Sequence, residues 1–299
     1  MNILSLFDGM SCGQLALKRI GIIPDNYFAS EIKTDGISVT MSNFPNTKQV
    51  GDVTKLDGKS LGKIDLLIGG SPCQDLSIAM YNRTGLAGIK SKLFYEYVRL
   101  LKETNPTYFL LENVGLMSEA DKAVITEIMG VEPIAINSLL ISAQLRNRLY
   151  WTNLKVEQPK DKGILLNQVL TSGWSDRDKA RCLLESDSRP QSNRMKMFYR
   201  YFKTGFTTIV FESEQHYLAC MENFTSNFNL KTVTAKDLDK YHGDVSVYQN
   251  IRFLNQTELE RLQTVDEGYT KILTRDKAAG ILGDGWTVDV IAHILKGIK

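Results

Sequence analysis

The chain has 299 residues, 43% of them hydrophobic, and a formal net charge of +2. That length suits one large domain or two ordinary ones, and the composition supports a packed core and excludes extended disorder. So small a net charge neither announces nor excludes a nucleic-acid partner, because binding clefts depend on where basic residues cluster.

Residues 2–7, NILSLF, predict a strand, followed by a glycine-containing turn at 8–13 and a helix from Gln14 to Ile20. YFAS at 27–30 reads as a second strand, 36–43 as a helix, KQVGDV at 48–53 as holding a third strand, and IDLLIGG as a fourth ending at Gly70. The run 90–103 sets Leu93, Phe94, Tyr97, Val98, Leu100 and Leu101 at helical spacing. TYFLLENV at 107–114 is a strand entered through Pro106. AVITEIMG is a helix closed by Gly130, and 134–142 with 148–153 form a last β pair. This alternation implies an α/β fold, a parallel sheet with helices on both faces, whose ligands bind beyond the carboxyl ends of the strands.

From about 155 to 250 the alternation fades, and basic, aromatic and small polar residues interleave, as in SNRMKMFYRYFKTG. That texture marks a second domain. Residues 251–263 read as a helix starting near Asn255 or Thr257, and the carboxyl end as a glycine turn followed by a helix. The four cysteines, Cys12, Cys73, Cys182 and Cys220, form no CxxC pair, and the three histidines are scattered, so no metal site is expected. Free thiols imply a reducing, cytoplasmic setting. No secretory signal is evident at the amino terminus, and no apolar run approaches the ~18 residues of a membrane span, so no membrane partner is expected.

Asp8, Glu31, Asp52, Ser71–Gln74 and Glu112–Asn113 each follow a predicted strand. Gly9 and Gly13 suit a tight turn into a helix, as nucleotide-binding turns need. The spacing is not GxGxxG, however, and Asp8 would repel a pyrophosphate. The turn therefore points to a cofactor without phosphates and with some positive charge. Glu31 can accept from both hydroxyls of a ribose, and Asp52 from an adenine amino group. Taken singly, each acid is equally a helix N-cap or a solvated loop residue.

A free cysteine is most often a small buried hydrophobe. Cys73, at a strand end behind Pro72, is also placed as a thiolate nucleophile, with no adjacent histidine to support protease-like chemistry. Glu112 can protonate or hydrogen-bond a ring nitrogen while a thiolate attacks. Gln144, Arg146 and Arg148 share one face of an extended segment. Two arginines there would stabilise an oxyanion or phosphate, or would be ordinary residues of a sheet edge.

LFDGMSCG, Glu31, GDV, GGSPCQDLS, LLENV, QLRNRLYW, RFLNQTELERLQ and LGDGWTV, in that order, resemble the motif series of the DNA (cytosine-5) methyltransferases. The likeness runs from residue 3 to about 155 and resumes from 251 to 295. FDG, SPCQDLS and LGDGWTV look nearer the de novo animal branch, while the absence of reader domains suggests a stand-alone bacterial or phage type, with or without a cognate restriction endonuclease.

The resemblance implies a Rossmann-like domain over 1–154, a target-recognition domain over 155–250 and a returning segment over 251–299. It implies S-adenosylmethionine as cofactor, leaving as S-adenosylhomocysteine. Phe7, Asp8, Gly9, Met10, Ser11, Cys12, Glu31, Ile32, Asp52, Val53, Pro72, Asp284, Gly285 and Trp286 would hold it. The family usually has Gly-Asn-Ser/Ala-Val where Gly283, Asp284, Gly285 and Trp286 stand, so Trp286 would pack beside the cofactor.

Cys73 would attack C6 of a cytosine, Glu112 would contact N3 and the exocyclic amine, Arg148 the base O2, and Arg146 would hold the nucleophile region. Gln74, Ser77, Asn113 and Gln144 would contact the substrate. The base must be flipped out of duplex DNA, and the segment from Asp75 to Lys92 would close over it. Two alternatives remain: the same chemistry on tRNA, or a DNA-binding relative without turnover. In the middle segment Arg189, Arg194, Lys196, Arg200 and Lys203, with Tyr199 and Tyr201, suit either a phosphate-tracking face or a solvated helix over a buried aromatic stripe. KTVTAK at 231–236 is a further candidate DNA contact.

Overall fold

In a computed structural model of the chain, residues 1–72, 92–184, 193–205 and 207–298 are described. They form two compact units. One holds residues 1–141, 147–161 and 285–299; the other holds 142–146 and 162–284. This division differs from the expected breaks after 154 and 250. Most of the returning segment, 251–284, groups with the second unit, and only the last fifteen or so residues rejoin the first.

The first unit is built on a seven-stranded sheet. Its strands are β1 (Asn2–Leu6), β2 (Asn26–Ser30), β3 (Lys48–Gln49), β4 (Leu66–Gly70), β5 (Tyr108–Val114), β6 (Ile134–Asn137) and β7 (Asn147–Thr152), in the order β3-β2-β1-β4-β5-β7-β6. From β3 to β5 every pairing is parallel. The helices α1 (Cys12–Arg19), α2 (Thr34–Asn43) and α3 (Leu93–Thr104) supply crossovers, as parallel pairing requires. The sheet is not parallel throughout: β7 runs antiparallel to both β5 and β6, because no crossover helix separates β6 from β7.

Alternation decides what each face carries. Leu4 and Leu6 of β1, Leu67, Leu111 and Trp151 join Phe94, Tyr97 and Leu100 of α3 in one buried cluster. Each such side chain contributes about 1.5–3 kcal/mol by leaving water. On the other face Ile68 lies against α1 so closely that a Cβ at Gly13 would stand 2.3 Å from its Cδ1. α4 (Glu119–Met129) starts at Ser118, whose hydroxyl caps Asp121 N–H, and ends at Gly130 with φ +68°. That is the left-handed stop expected from the sequence.

The second unit contains α5 (Leu166–Val169), α6 (Arg194–Thr204), β8 (Ile209–Val210), α7 (Glu214–Asn227), α8 (Ala235–Asp239), β9 (Arg252–Phe253), α9 (Gln256–Leu262) and α10 (Arg275–Asp284). Its core is aromatic: Phe198 of α6 sits 5.4–6.1 Å, centroid to centroid, from Tyr248, Phe224 and Phe211. Tyr201 is buried there too, Tyr199 is half-buried against the same core, and Phe202 is exposed, so only part of the α6 aromatics forms a buried stripe. Lys196 pairs with Asp239, and the Lys203 ammonium donates to the Leu230 and Lys231 carbonyls. Arg189 lies outside the described residues. Within 231–236, Val233 is buried and Thr234 caps α8.

The expected helix over 251–263 is shorter. Arg252 and Phe253 pair with β8 instead, and α9 begins after its N-cap, Asn255. α10 is a helix where a glycine turn is expected. The stretch Arg275–Leu295 passes a length-and-composition test for a membrane span, but it is two helices, α10 and α11 (Val288–Leu295), and 61% of its most apolar window is buried.

Candidate active site

The parallel pairing of β2, β1, β4 and β5 sets their carboxyl ends at one edge of the first unit. Asp8 and Glu31 meet there. The Gly9 N–H donates to Glu31 Oε2 at 2.7 Å, and the Ile32 and Lys33 N–H groups donate to Oε1 at 2.7 and 2.8 Å. Ser30 Oγ donates to the Gly51 carbonyl at 2.7 Å, tying the end of β2 to the turn before Asp52. Asp52 accepts from Thr54 N–H at 2.9 Å and caps a short 3-10 turn at Val53–Lys55. The helix-cap alternative thus holds for Asp52 but not for Glu31, which accepts from N–H groups that precede α2.

The first turn is unusual in its backbone. Phe7, Gly9 and Ser11 have φ of +56°, +60° and +59°. Two are not glycine, and side chains seldom adopt that left-handed region unless surrounding contacts enforce it. The contacts here converge on Asp8. Its carboxyl is buried, takes the Tyr27 hydroxyl at 2.8 Å on Oδ1, and takes the Ser11 hydroxyl on Oδ2. Burial lifts the Asp8 carboxyl above its ordinary value, against the pull of bonds from Ser11, Ser5 and Tyr27, with Glu31 repulsion adding to the rise. Met10 and Cys12 are buried beneath the turn, Val53 belongs to the core, and Ile32 is 71% exposed. Gly36 in α2 packs on the turn: a Cβ there would meet the Gly9 carbonyl oxygen at 2.5 Å.

At the end of β5, Arg148 Nε lies 2.9 Å from Glu112 Oε1, and Trp286 Nε1 donates to Glu112 Oε2 at 3.1 Å. Asn113 turns the other way. Its Nδ2 donates to Ser71 Oγ at 3.1 Å, and its Oδ1 accepts the Val114 N–H. It thereby anchors the residue before Pro72. Cys73, Gln74 and, except for Lys92, all of the proposed closing segment 75–92, Ser77 included, lie outside the described residues.

Gln144 and Arg146 fall in the second unit, apart from Arg148. Gln144 is buried, donates to the Leu262 carbonyl at 3.2 Å and accepts the Leu183 N–H at 2.9 Å. Arg146 donates to the carbonyls of Gly283 at 3.1 Å and Leu183 at 3.3 Å. Asp284 ends α10 in the same unit, whereas Gly285 and Trp286 belong to the first. Sequence reasoning missed Tyr27 and Gly36. Gly36 carried a signal, since a glycine inside a helical pattern often marks a close backbone approach.

The sheet with this edge is the Rossmann-like fold of the S-adenosylmethionine-dependent methyltransferases. Two solved structures share it over nearly the whole chain. A variant of Spodoptera frugiperda DNMT2 matches with a TM-score of 0.71 and 17% identity, covering 99% of this chain and 98% of that one. Entamoeba histolytica methyltransferase EhMeth matches with a TM-score of 0.70 and 15% identity, covering 99% and 97%.

Residues 1–132 match the family model of C-5 cytosine-specific DNA methylases. The orphan methyltransferase M.Rho11sI of Bacillus phage rho11s is 38% identical over 131 residues, 43% of this chain and 26% of that protein. Type II methyltransferase M.NlaIV of Neisseria lactamica is 30% identical over 173 residues, 56% of this chain and 39% of that protein. The chain thus spans well under half the length of the curated relatives it matches.

Proposed function

We propose that this protein is a DNA (cytosine-5) methyltransferase acting on a flipped-out cytosine in duplex DNA. The observation that carries the reading is Glu112, an ion-paired carboxylate at the carboxyl end of β5, beside the strand that leads through Ser71 and Pro72 into Cys73.

The first turn fits S-adenosylmethionine. Asp8 and Glu31 gather at one strand edge, tied to the turn before Asp52, an acceptor set suited to a sulfonium and ribose hydroxyls and hostile to phosphate. Asp8 and the Gly9–Cys12 backbone would hold the amino-acid end, Glu31 the ribose, and Asp52 with Ile32 and Val53 the adenine. That cofactor supplies an electrophilic methyl group.

In the proposed reaction the Cys73 thiolate forms a bond to C6 of the base, and the electrons of the C5–C6 double bond move to C5, which becomes the nucleophile. Glu112 would pass a proton to N3 and accept from the exocyclic amine, and Arg148 would face O2, so charge developing on the ring is met by fixed partners. C5 would take the methyl group that the cofactor supplies, leaving S-adenosylhomocysteine. A water acting as base would then remove the C5 proton, the freed electron pair would restore the double bond and expel Cys73 Sγ from C6 as thiolate, and N3 would return its proton to Glu112. Asn113 holds Ser71 and so sets where the nucleophile segment starts.

The test is transfer of a radiolabelled methyl group to duplex DNA and to tRNA in competition. The reading predicts label in DNA; label confined to tRNA would replace it with the RNA alternative. A cognate endonuclease and a cytoplasmic location belong to the same proposal, to be tested in the host cell.

A further inference from the structure

Glu112 carries two donors, one on each oxygen. Arg148 Nε sits at 2.9 Å from Oε1, and the indole N–H of Trp286 reaches Oε2 at 3.1 Å in a buried contact spanning 174 positions of sequence. The last torsion of a glutamate side chain is broad and roughly two-fold, so a carboxylate held by one donor can pivot. Held at both oxygens, its plane is set. The space beneath is closed as well. A Cβ at Gly70 would lie 2.7 Å from Glu112 Oε2 and 2.8 Å from Trp286 Nε1. The far edge of the indole reaches α1, where its Cζ3 lies 3.5 Å from the position of a Gly13 Cβ. One ring therefore bridges the helix that follows the first turn and the carboxylate at the end of β5.

We propose that Trp286 is a positioning residue for Glu112, its indole N–H fixing the carboxylate plane while its ring is braced against α1. The proposal rests on the cytosine methyltransferase reading of the site. It gives Trp286 a task other than cofactor contact. An indole N–H donates and never accepts, so Trp286 holds Glu112 without competing for the protons that Glu112 shares with the base. Arg148 orients the same carboxylate from the neighbouring strand, and together the two donors leave the outward lone pairs for the exocyclic amine of the base and the proton shared with N3.

The test is Trp286→Phe, which keeps a ring against α1 and deletes the N–H. The proposal expects kcat to fall on the order of tenfold, equivalent to about 1.4 kcal/mol. KM for S-adenosylmethionine should stay within about twofold and the melting temperature within a few degrees, an order of change small beside the tenfold loss. An unchanged kcat would overturn it, as would a loss matched by weakened cofactor binding.

A second measurement needs neither activity nor that variant. The chain has three tryptophans, so the Trp286 indole resonance can be assigned by elimination using Trp151→Phe and Trp174→Phe. In Glu112→Gln that resonance is expected to move by more than any other indole signal; an unmoved signal refutes the contact. If the wild-type protein methylated no nucleic acid, the functional reading would fail, and the spectrum would still decide the positioning.

Discussion

Arg148 Nε lies 2.9 Å from Glu112 Oε1, and the antiparallel register of β5 and β7 is the cause. Arg148 stands opposite Val114, and Glu112 is two residues before Val114 on the same face. The pair is thus a diagonal cross-strand contact, which a long side chain spans easily. Had β7 run parallel, like its neighbours, that diagonal would be lost.

Arg148→Ala is therefore expected to do two things. It should lower methyl transfer by at least a hundredfold, because the base loses one fixed partner and Glu112 loses another. It should also destabilise the first unit by about 1–3 kcal/mol, less than a fully buried pair would, since the side chains are 14% and 11% exposed. Single-turnover rates and urea unfolding check the two separately.

Asp8 gives a trade between stability and binding. Its carboxyl is raised above the ordinary 3.8 by burial, so the folded protein binds more protons than the unfolded chain just above that pH. Stability consequently falls as pH rises from about 3.8 through the folded value. Asp8→Asn removes that fall. The variant should melt a few degrees higher at pH 7 than wild type and show a flatter dependence on pH, while binding S-adenosylmethionine at least tenfold more weakly by calorimetry, ~1.4 kcal/mol or more.

Gly36→Ala sets two effects against each other. Inside a helix, alanine is normally favoured over glycine by about 1 kcal/mol. Here the new Cβ would meet the Gly9 carbonyl oxygen at 2.5 Å, backbone that cannot rotate away. The clash is expected to win, lowering stability by about 1–3 kcal/mol and weakening cofactor binding through the displaced turn. A rise in melting temperature with unchanged binding would show that the turn yields freely.

In the second unit Glu258 is buried and accepts from Arg252, from Thr171 N–H and hydroxyl, and from Asn255 N–H. Burial pushes its carboxyl up, but the Arg252 bond and the two backbone donors outweigh burial and hold it below the ordinary 4.5. A carboxyl depressed in this way contributes stability above its unfolded value and loses it as pH falls through the folded one. Wild type should therefore lose stability below about pH 4.5, and Glu258→Gln should begin less stable at pH 7 and lose less on acidification, as followed by circular dichroism.

The legible part of the molecule was the part with strong periodicity. β1, β2, β4 and β5 are short apolar runs with an acid, a serine or glycines behind them, and the parallel order follows from the helices between. β3 is only two residues long because the chain leaves the sheet at Gln49, before the apparent alternation of Val50 to Val53 ends. The reversal of β7 was legible in the short connection between 142 and 148, too short for the crossover a parallel pair needs, and the expectation of a parallel sheet passed over it.

Gln144, Arg146 and Arg148 read as one face, yet the first two are used up inside the second unit by carbonyls of Leu183, Leu262 and Gly283. The contact of Trp286 with Glu112 was beyond reach because it joins positions 174 residues apart. Only folding could reveal that the substitution of tryptophan in the last motif meets the acid in an earlier one.

The most direct test of cytosine-5 methylation is bisulfite sequencing of DNA from a methylation-free host expressing either the wild-type chain or Cys73→Ala. The account predicts methylated cytosines in a recurring sequence context with wild type, and none with Cys73→Ala. Methylation that persists without the thiol would contradict the mechanism, and wild-type DNA indistinguishable from the host background would contradict the function.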